Sequence, residues 1–140
     1  MVKDSDVQKS IEVVRRANLE VQGEGNWELY DQLYSDDLVN YTGLDGYSND
    51  KAGVKRLYVD LRKAFAWKPD IHFQTSDGEK VTTYKHYHGT HQGEFFGIKP
   101  TGKKIQLEVI DVMSVKNGQI TAHWGIGDFL SLMKQLGAHS

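Results

Sequence analysis

The chain has 140 residues, 39% hydrophobic and 26% charged, with 14 Gly, 2 Pro and no Cys. This is the length of one domain, and the lack of Cys excludes disulfides, thiolate metal sites and cysteine nucleophiles. A formal charge of -2 leaves no electrostatic footprint for nucleic acid or an anionic membrane, and no apolar run approaches the ~20 residues that span a bilayer. The opening MVKDSDVQKS is charged and has no apolar core, so no signal peptide and a cytoplasmic location are expected.

The first element reads as a helix. Asp4, Ser5 or Asp6 can cap it, and Val7, Ile11, Val14, Ala17 and then Val21 recur at spacings of three and four. Gly23-Glu24-Gly25 stops it, and Asn26 can cap a short second helix carrying Trp27, Tyr30 and Leu33. Leu38 to Thr42 read as a short strand. Ser48, Asn49 or Asp50 can cap a third helix with Val54, Leu57, Leu61 and Phe65 on its apolar face. Beyond Pro69 the period changes to two, with Ile71, Phe73 and Thr75 alternating with His72 and Gln74 before the Asp77-Gly78 turn. Val81 to Gln92 form a longer strand, residues 93–104 a glycine-containing loop, and Ile105 to Val115 a strand apolar on both faces. Asn117-Gly118 is a strong hairpin turn, Gln119 to Ile126 return antiparallel, and Phe129 to Leu136 close the chain as a helical turn. Helices followed by a meander predict an α+β fold within a single domain, residues 1–140.

Four features carry possible chemistry. Gly97 to Lys103 falls one residue short of a phosphate loop, because Lys104 stands where a Ser or Thr is needed and a strand follows instead of a helix. His86 and His88 share a strand face and could reach one metal ion, but His91 has the opposite parity, so no metal site is expected. Asp111 interrupts an apolar strand, which requires either hydrogen-bonded pairing or a raised pKa; the plain structural reading ties the sheet to a helix. Asp128 shares strand parity with Ala122, Trp124 and Ile126. It can be a base beside an aromatic wall or simply the N-cap of the helix that starts at Phe129.

Two stretches resemble a known family. Gly89 to Lys103 (GTHQGEFFGIKPTGK) is similar to the GTHxGEFxGxxPTGK signature of the SnoaL-like polyketide cyclases, also called ester cyclases. Asn117 to Ile120, His123-Trp124, Asp128 and Leu132 to Gly137 resemble that family's DGKIxEHWxxxD…LLxQLG ending. The resemblance implies an NTF2-like cone, with N-terminal helices packed into a curved antiparallel sheet around an apolar cavity. It also implies cofactor-independent acid/base chemistry, such as the intramolecular aldol closure of a polyketide ring. On motif position Asp128 corresponds to the family's acid/base, and a neutral donor, His91, His88 or Tyr41, is expected to steady the enolate. Tyr41, His86, His88, Ser114 and Trp124 are the expected substrate-binding residues. Ser114 stands where the family carries Arg or His, Ala122 where it often has Glu, and Tyr41 where a His is common.

The expected partner is a small hydrophobic substrate or ligand, with no cofactor and no metal. The alternatives are a non-catalytic module that binds such a ligand, or an isomerase or hydrolase on the same fold. Apolar residues on both faces of Ile105 to Val115 further predict a homodimer, since the helices can cover only one face.

Overall fold

The computed structural model describes residues 3–137. Helix α1 (Asp4–Arg16) buries Val14 and continues without a break into a π-helical turn (Ala17–Gln22). The wider turn brings Asn18 and Gln22 inside together with Ala17 and Val21. Asn26 caps α2 (Trp27–Leu33) by accepting from the Leu29 amide at 3.0 Å, and Asp50 caps α3 (Lys51–Phe65) by accepting from the Gly53 amide at 2.9 Å.

Five strands follow or separate these helices: β1 (Tyr34–Asn40), β2 (Lys68–Ser76), β3 (Lys80–Thr90), β4 (Lys104–Lys116) and β5 (Gln119–Gly127). They form one sheet in the order β1-β5-β4-β3-β2. Strands β2 to β5 make the expected antiparallel meander, whereas β1 joins β5 in parallel. The first strand thus adds a parallel edge to the expected meander, and it begins at Tyr34 instead of Leu38. Tyr34 is wholly buried and stacks on Tyr30 at 4.3 Å, so the chain turns straight from α2 into the sheet. Helix α4 (Phe129–Gln135) closes the chain against β4, where the Gln135 side chain hydrogen-bonds both backbone groups of Gln106 at 2.8 Å.

The sheet curves around the helices, and alternate residues divide between its faces. Leu107, Val109, Asp111 and Met113 of β4 point to the concave side; Glu108, Ile110 and Val112 point to the convex side. The concave side holds two apolar clusters. One joins Val14, Val21, Leu29, Tyr30 and Leu38 to Val81, Met113 and Ile120. The other joins Phe65, Trp67 and Phe95 to Tyr87, Leu107 and Leu132. Between them runs a polar layer.

The family signature explains the second cluster. A Cβ on Gly89 would collide with the Phe65 carbonyl, and one on Gly93 with the Lys63 carbonyl, so only glycine lets these segments close on the end of α3. His91 is wholly buried beside Phe65, with Nδ1 3.0 Å from the Thr101 hydroxyl and accepting from the Thr101 amide at 3.2 Å. Its ring pins the loop that follows.

Candidate functional site

The polar layer is built from side chains that alternate with apolar ones along the concave face. Lys85 of β3 is wholly buried, with Nζ 2.9 Å from Asp111 Oδ2 and 2.5 Å from Asn18 Oδ1. The sheet carboxylate is thus tied to the π-helical turn through a lysine. Tyr87, two residues along, donates its hydroxyl to Gln22 Oε1 and offers its ring to the Lys85 ammonium, 4.9 Å from the centroid. Burial opposes ionisation of Asp111, but Lys85, joined by His123 whenever its ring holds both protons, outweighs it and holds the carboxyl below its usual range. Burial likewise opposes the charge on Lys85, and Asp111 outweighs it, so the ammonium titrates above its ordinary range. The pair is a fixed ion pair.

A cavity of about 110 Å³ opens against this pair. Leu57, Leu61, Trp67, Leu107, Val109 and Phe129 supply its apolar wall, and Asn40, Tyr58, Asp111 and His123 its polar end. The Asn40 Oδ1 accepts from the Thr42 backbone amide at 3.3 Å, which identifies that atom as oxygen. His123 Nδ1, 2.9 Å from the same oxygen, must therefore carry its proton. The other ring nitrogen, Nε2, faces Asp111 Oδ2 at 3.5 Å. Asp111 Oδ1 is buried and finds no hydrogen-bond partner among the described residues. Tyr58 accepts from the Tyr34 hydroxyl at 3.4 Å, and burial pushes its pKa well up, so it remains a neutral phenol with a proton to donate.

The residues expected from sequence lie elsewhere. Asp128 is exposed, and its Oδ1 accepts from the Ser131 amide at 3.0 Å as the N-cap of α4. It does share a face with Trp124 and Ile126, but that face is the convex one. Trp124 there stacks on Tyr41 at 5.0 Å with the planes 6° apart. His86 and His88 stand on the convex side of β3, where His86 Nδ1 lies 2.6 Å from His72 Nε2. Ser114 pairs with Ala122 on the convex side of β4 and is buried. His91 belongs to the second apolar cluster's surroundings. None of these seven lines the cavity. Among the described residues, no group of three or more His, Asp or Glu side chains is arranged to hold a metal ion, and no helix is long and apolar enough to cross a membrane.

Asp111 was legible as an anomaly, and its partners were not. Lys85 reads in sequence as an ordinary surface lysine of a strand, and Asn40 and Tyr58 sit in segments without a motif. His123 stood in the resemblance beside Trp124. The polar residues Gln106 and Glu108 mark the solvent side of β4, which puts Asp111 inside, and this was the signal available.

An α+β cone with a small apolar cavity and a polar, charged end defines an NTF2-like protein. Residues 12–136 match the family model of the SnoaL-like polyketide cyclases, and the chain belongs to that family. Two solved structures, each named a “putative polyketide cyclase”, are similar to it. That from Bacillus cereus ATCC 10987 is 26% identical, with a TM-score of 0.84, covering 99% of this chain and 87% of its own. That from Acidithiobacillus ferrooxidans is 28% identical, with a TM-score of 0.83, covering 94% and 96%. A SnoaL-like protein from Jannaschia sp. CCS1 superposes with a TM-score of 0.87 at 15% identity over 100% and 99% of the two chains, which speaks for the fold alone. No curated protein matches the chain.

Proposed function

We propose that this protein is a cofactor-independent acid/base enzyme for a small hydrophobic carbonyl compound, of the intramolecular aldol type, with His123 as the proton carrier. The observation that carries this is the fixing of His123 Nδ1–H on Asn40, which leaves Nε2 as the exchangeable site beside the Asp111 carboxylate. Imidazole suits proton exchange near neutral pH. Asp111, held ionised by Lys85, is the weaker base and the better electrostatic partner.

In the proposed step the neutral Nε2 takes a proton alpha to the substrate carbonyl, and the C–H electron pair moves into the enolate. Tyr58 donates its phenolic proton in a hydrogen bond to the enolate oxygen. Asp111 attracts the ring only once it is an imidazolium, so its contribution appears as the proton moves and not before. The enolate carbon then adds to a second carbonyl of the same molecule, and the imidazolium returns its proton to the new alkoxide. General acid–base help of this kind is worth ~10²–10⁴-fold. The test is solvent-deuterium exchange into the alpha position of a simple aryl ketone, followed by NMR: the parent should catalyse it and His123→Gln should not. Equal rates for the two would sink the assignment.

The capping role of Asp128 favours a second reading, a ligand-binding module without turnover, because the residue that the resemblance makes the acid/base is spent on a helix end. Saturable binding without any exchange would support that reading.

We further propose that the convex face joins two copies of the chain. Phe73, Ile110 and Ile126 expose 56%, 51% and 79% of their surface on it, a patch that a second copy would cover. Sedimentation showing only monomer at micromolar concentration would refute this. The chemistry proposed uses neither metal nor cofactor, and activity should survive a chelator.

A further inference from the structure

Size and charge of the cavity together narrow its ligand. At about 110 Å³ the free space is well below the ~300–1,000 Å³ of ordinary ligand pockets and close to the ~150 Å³ of an engineered cavity that takes benzene. One ring fits, and a fused polyketide skeleton does not.

The wall carries a surplus of positive charge. Among the described residues Asp111 is the one acidic side chain that lines it, and Lys85 at 2.9 Å neutralises that carboxylate. Arg62 also lines the cavity. Its Nη1 donates to the Gln22 carbonyl at 2.7 Å, which orients the guanidinium, and among the described residues no carboxylate forms an ion pair with it. A guanidinium that lines the cavity and is held by one neutral carbonyl retains donors for a planar anion. His123 adds a second cationic group whenever it holds both protons.

We propose that the substrate of this cavity is a single-ring or short-chain carboxylate that also bears an enolisable carbonyl and a second carbonyl for the enolate to attack, with its carboxylate held by Arg62. The assignment rests on the acid/base reading for the reaction but not for the binding. It divides the labour: Arg62 holds the anionic end, the apolar wall holds the body, and the carbonyl is left to Tyr58 and His123.

Binding of three probes, followed by calorimetry, tests it. These are benzoate, its neutral near-isostere benzamide, and the three-ring anthracene-2-carboxylate. Benzoate should bind about tenfold more tightly than benzamide in the parent, the difference expected of a charge-assisted contact. Arg62→Gln should bring the two to the same affinity, and Arg62→Lys, which keeps the charge, should retain most of the preference. The three-ring acid should bind at least about tenfold more weakly than benzoate, because the walls would have to move apart to admit it. Equal binding of benzoate and benzamide by the parent overturns the anion assignment, as does a preference that survives Arg62→Gln in protein of unchanged melting temperature. Tight binding of the three-ring acid overturns the size limit, and no binding of benzoate overturns the whole proposal. Failure of the acid/base reading shows separately, as absent deuterium exchange in protein that still binds benzoate through Arg62.

Discussion

Tyr84, His86 and His88 alternate along β3 with Lys85 and Tyr87, and the two sets live in different solvents. On the concave side the polar side chains are paired off: Lys85 on Asp111 and Asn18, Tyr87 on Gln22, His123 on Asn40. Burial leaves no water to replace a lost partner, so the network is held as a unit. On the convex side the groups stack and share. His72 meets His86, Tyr84 donates to Glu108 at 2.6 Å, and Tyr41 lies flat on Trp124 while 60% exposed. Water can replace any of these contacts. The difference teaches that a buried polar network stands or falls as a unit while an exposed one can be remade by water; the proposed proton chemistry draws on the first face and the proposed association on the second.

The comparison is broken most severely at the buried ion pair. Lys85→Met should leave Asp111 buried and uncompensated and cost ~3–5 kcal/mol in denaturant unfolding. Replacing both partners, Lys85→Met with Asp111→Leu, should restore most of that loss while abolishing the cavity's charge. A single variant as stable as the parent would show that the pair is not the anchor of the layer.

His123→Gln is the next largest effect and should separate function from stability. Proton exchange should fall by roughly 10²-fold or more, with unfolding changed little, because a half-buried ring is exchanged for a polar side chain of related reach. On the other face, Ile110→Lys should convert the proposed dimer to a monomer in sedimentation while leaving exchange activity per chain intact. Loss of activity with dissociation would mean that the two faces are coupled.

The pH dependence sharpens the same division. Asp111 is depressed in the folded protein, so its contribution to stability is complete above the unfolded value near ~3.9 and is lost as pH falls through the folded one. Lys85 is raised, so its contribution is complete below its unfolded value near ~10.4 and is lost only as pH rises through the folded one. Stability from this pair should be flat between about pH 5 and 9. The acid-side loss below about pH 4 should be smaller in the Lys85→Met, Asp111→Leu protein, as urea unfolding at several pH values would show.

The smallest effect is expected at Asp128. Asp128→Asn should be close to neutral, since Asn caps as well as Asp, while Asp128→Ala should cost about 1 kcal/mol. Neither should change deuterium exchange. A large loss of activity in Asp128→Asn with unchanged melting temperature would return the proton chemistry to the position that the family resemblance marks.

The order of elements, two of the helix caps, the hairpin turns and the family were all legible in the residues, because they rest on local chemistry: Asn26 and Asp50 cap where caps were expected, and Asp128 takes the capping role that stood as the alternative to a catalytic one. The oddity of Asp111 was legible too, since a carboxylate among Val109, Ile110, Val112 and Met113 needs an explanation wherever the strand lies. Which residues face it was not. A regular hairpin through Asn117-Gly118 would pair Asp111 with Trp124 and send the indole into the cavity. Instead the register shifts at Ser114/Val115, with Val115 opposite Ile120 and Ser114 opposite Ala122, so Thr121 is an extra residue on β5. That one residue turns Trp124, and Asp128 beyond it, to the convex side and brings His123 to the concave side, toward Asp111. Strand parity along β5 is a property of the chain, but the face to which each parity belongs depends on a bulge and on what packs against the sheet, and only the tertiary structure supplies both.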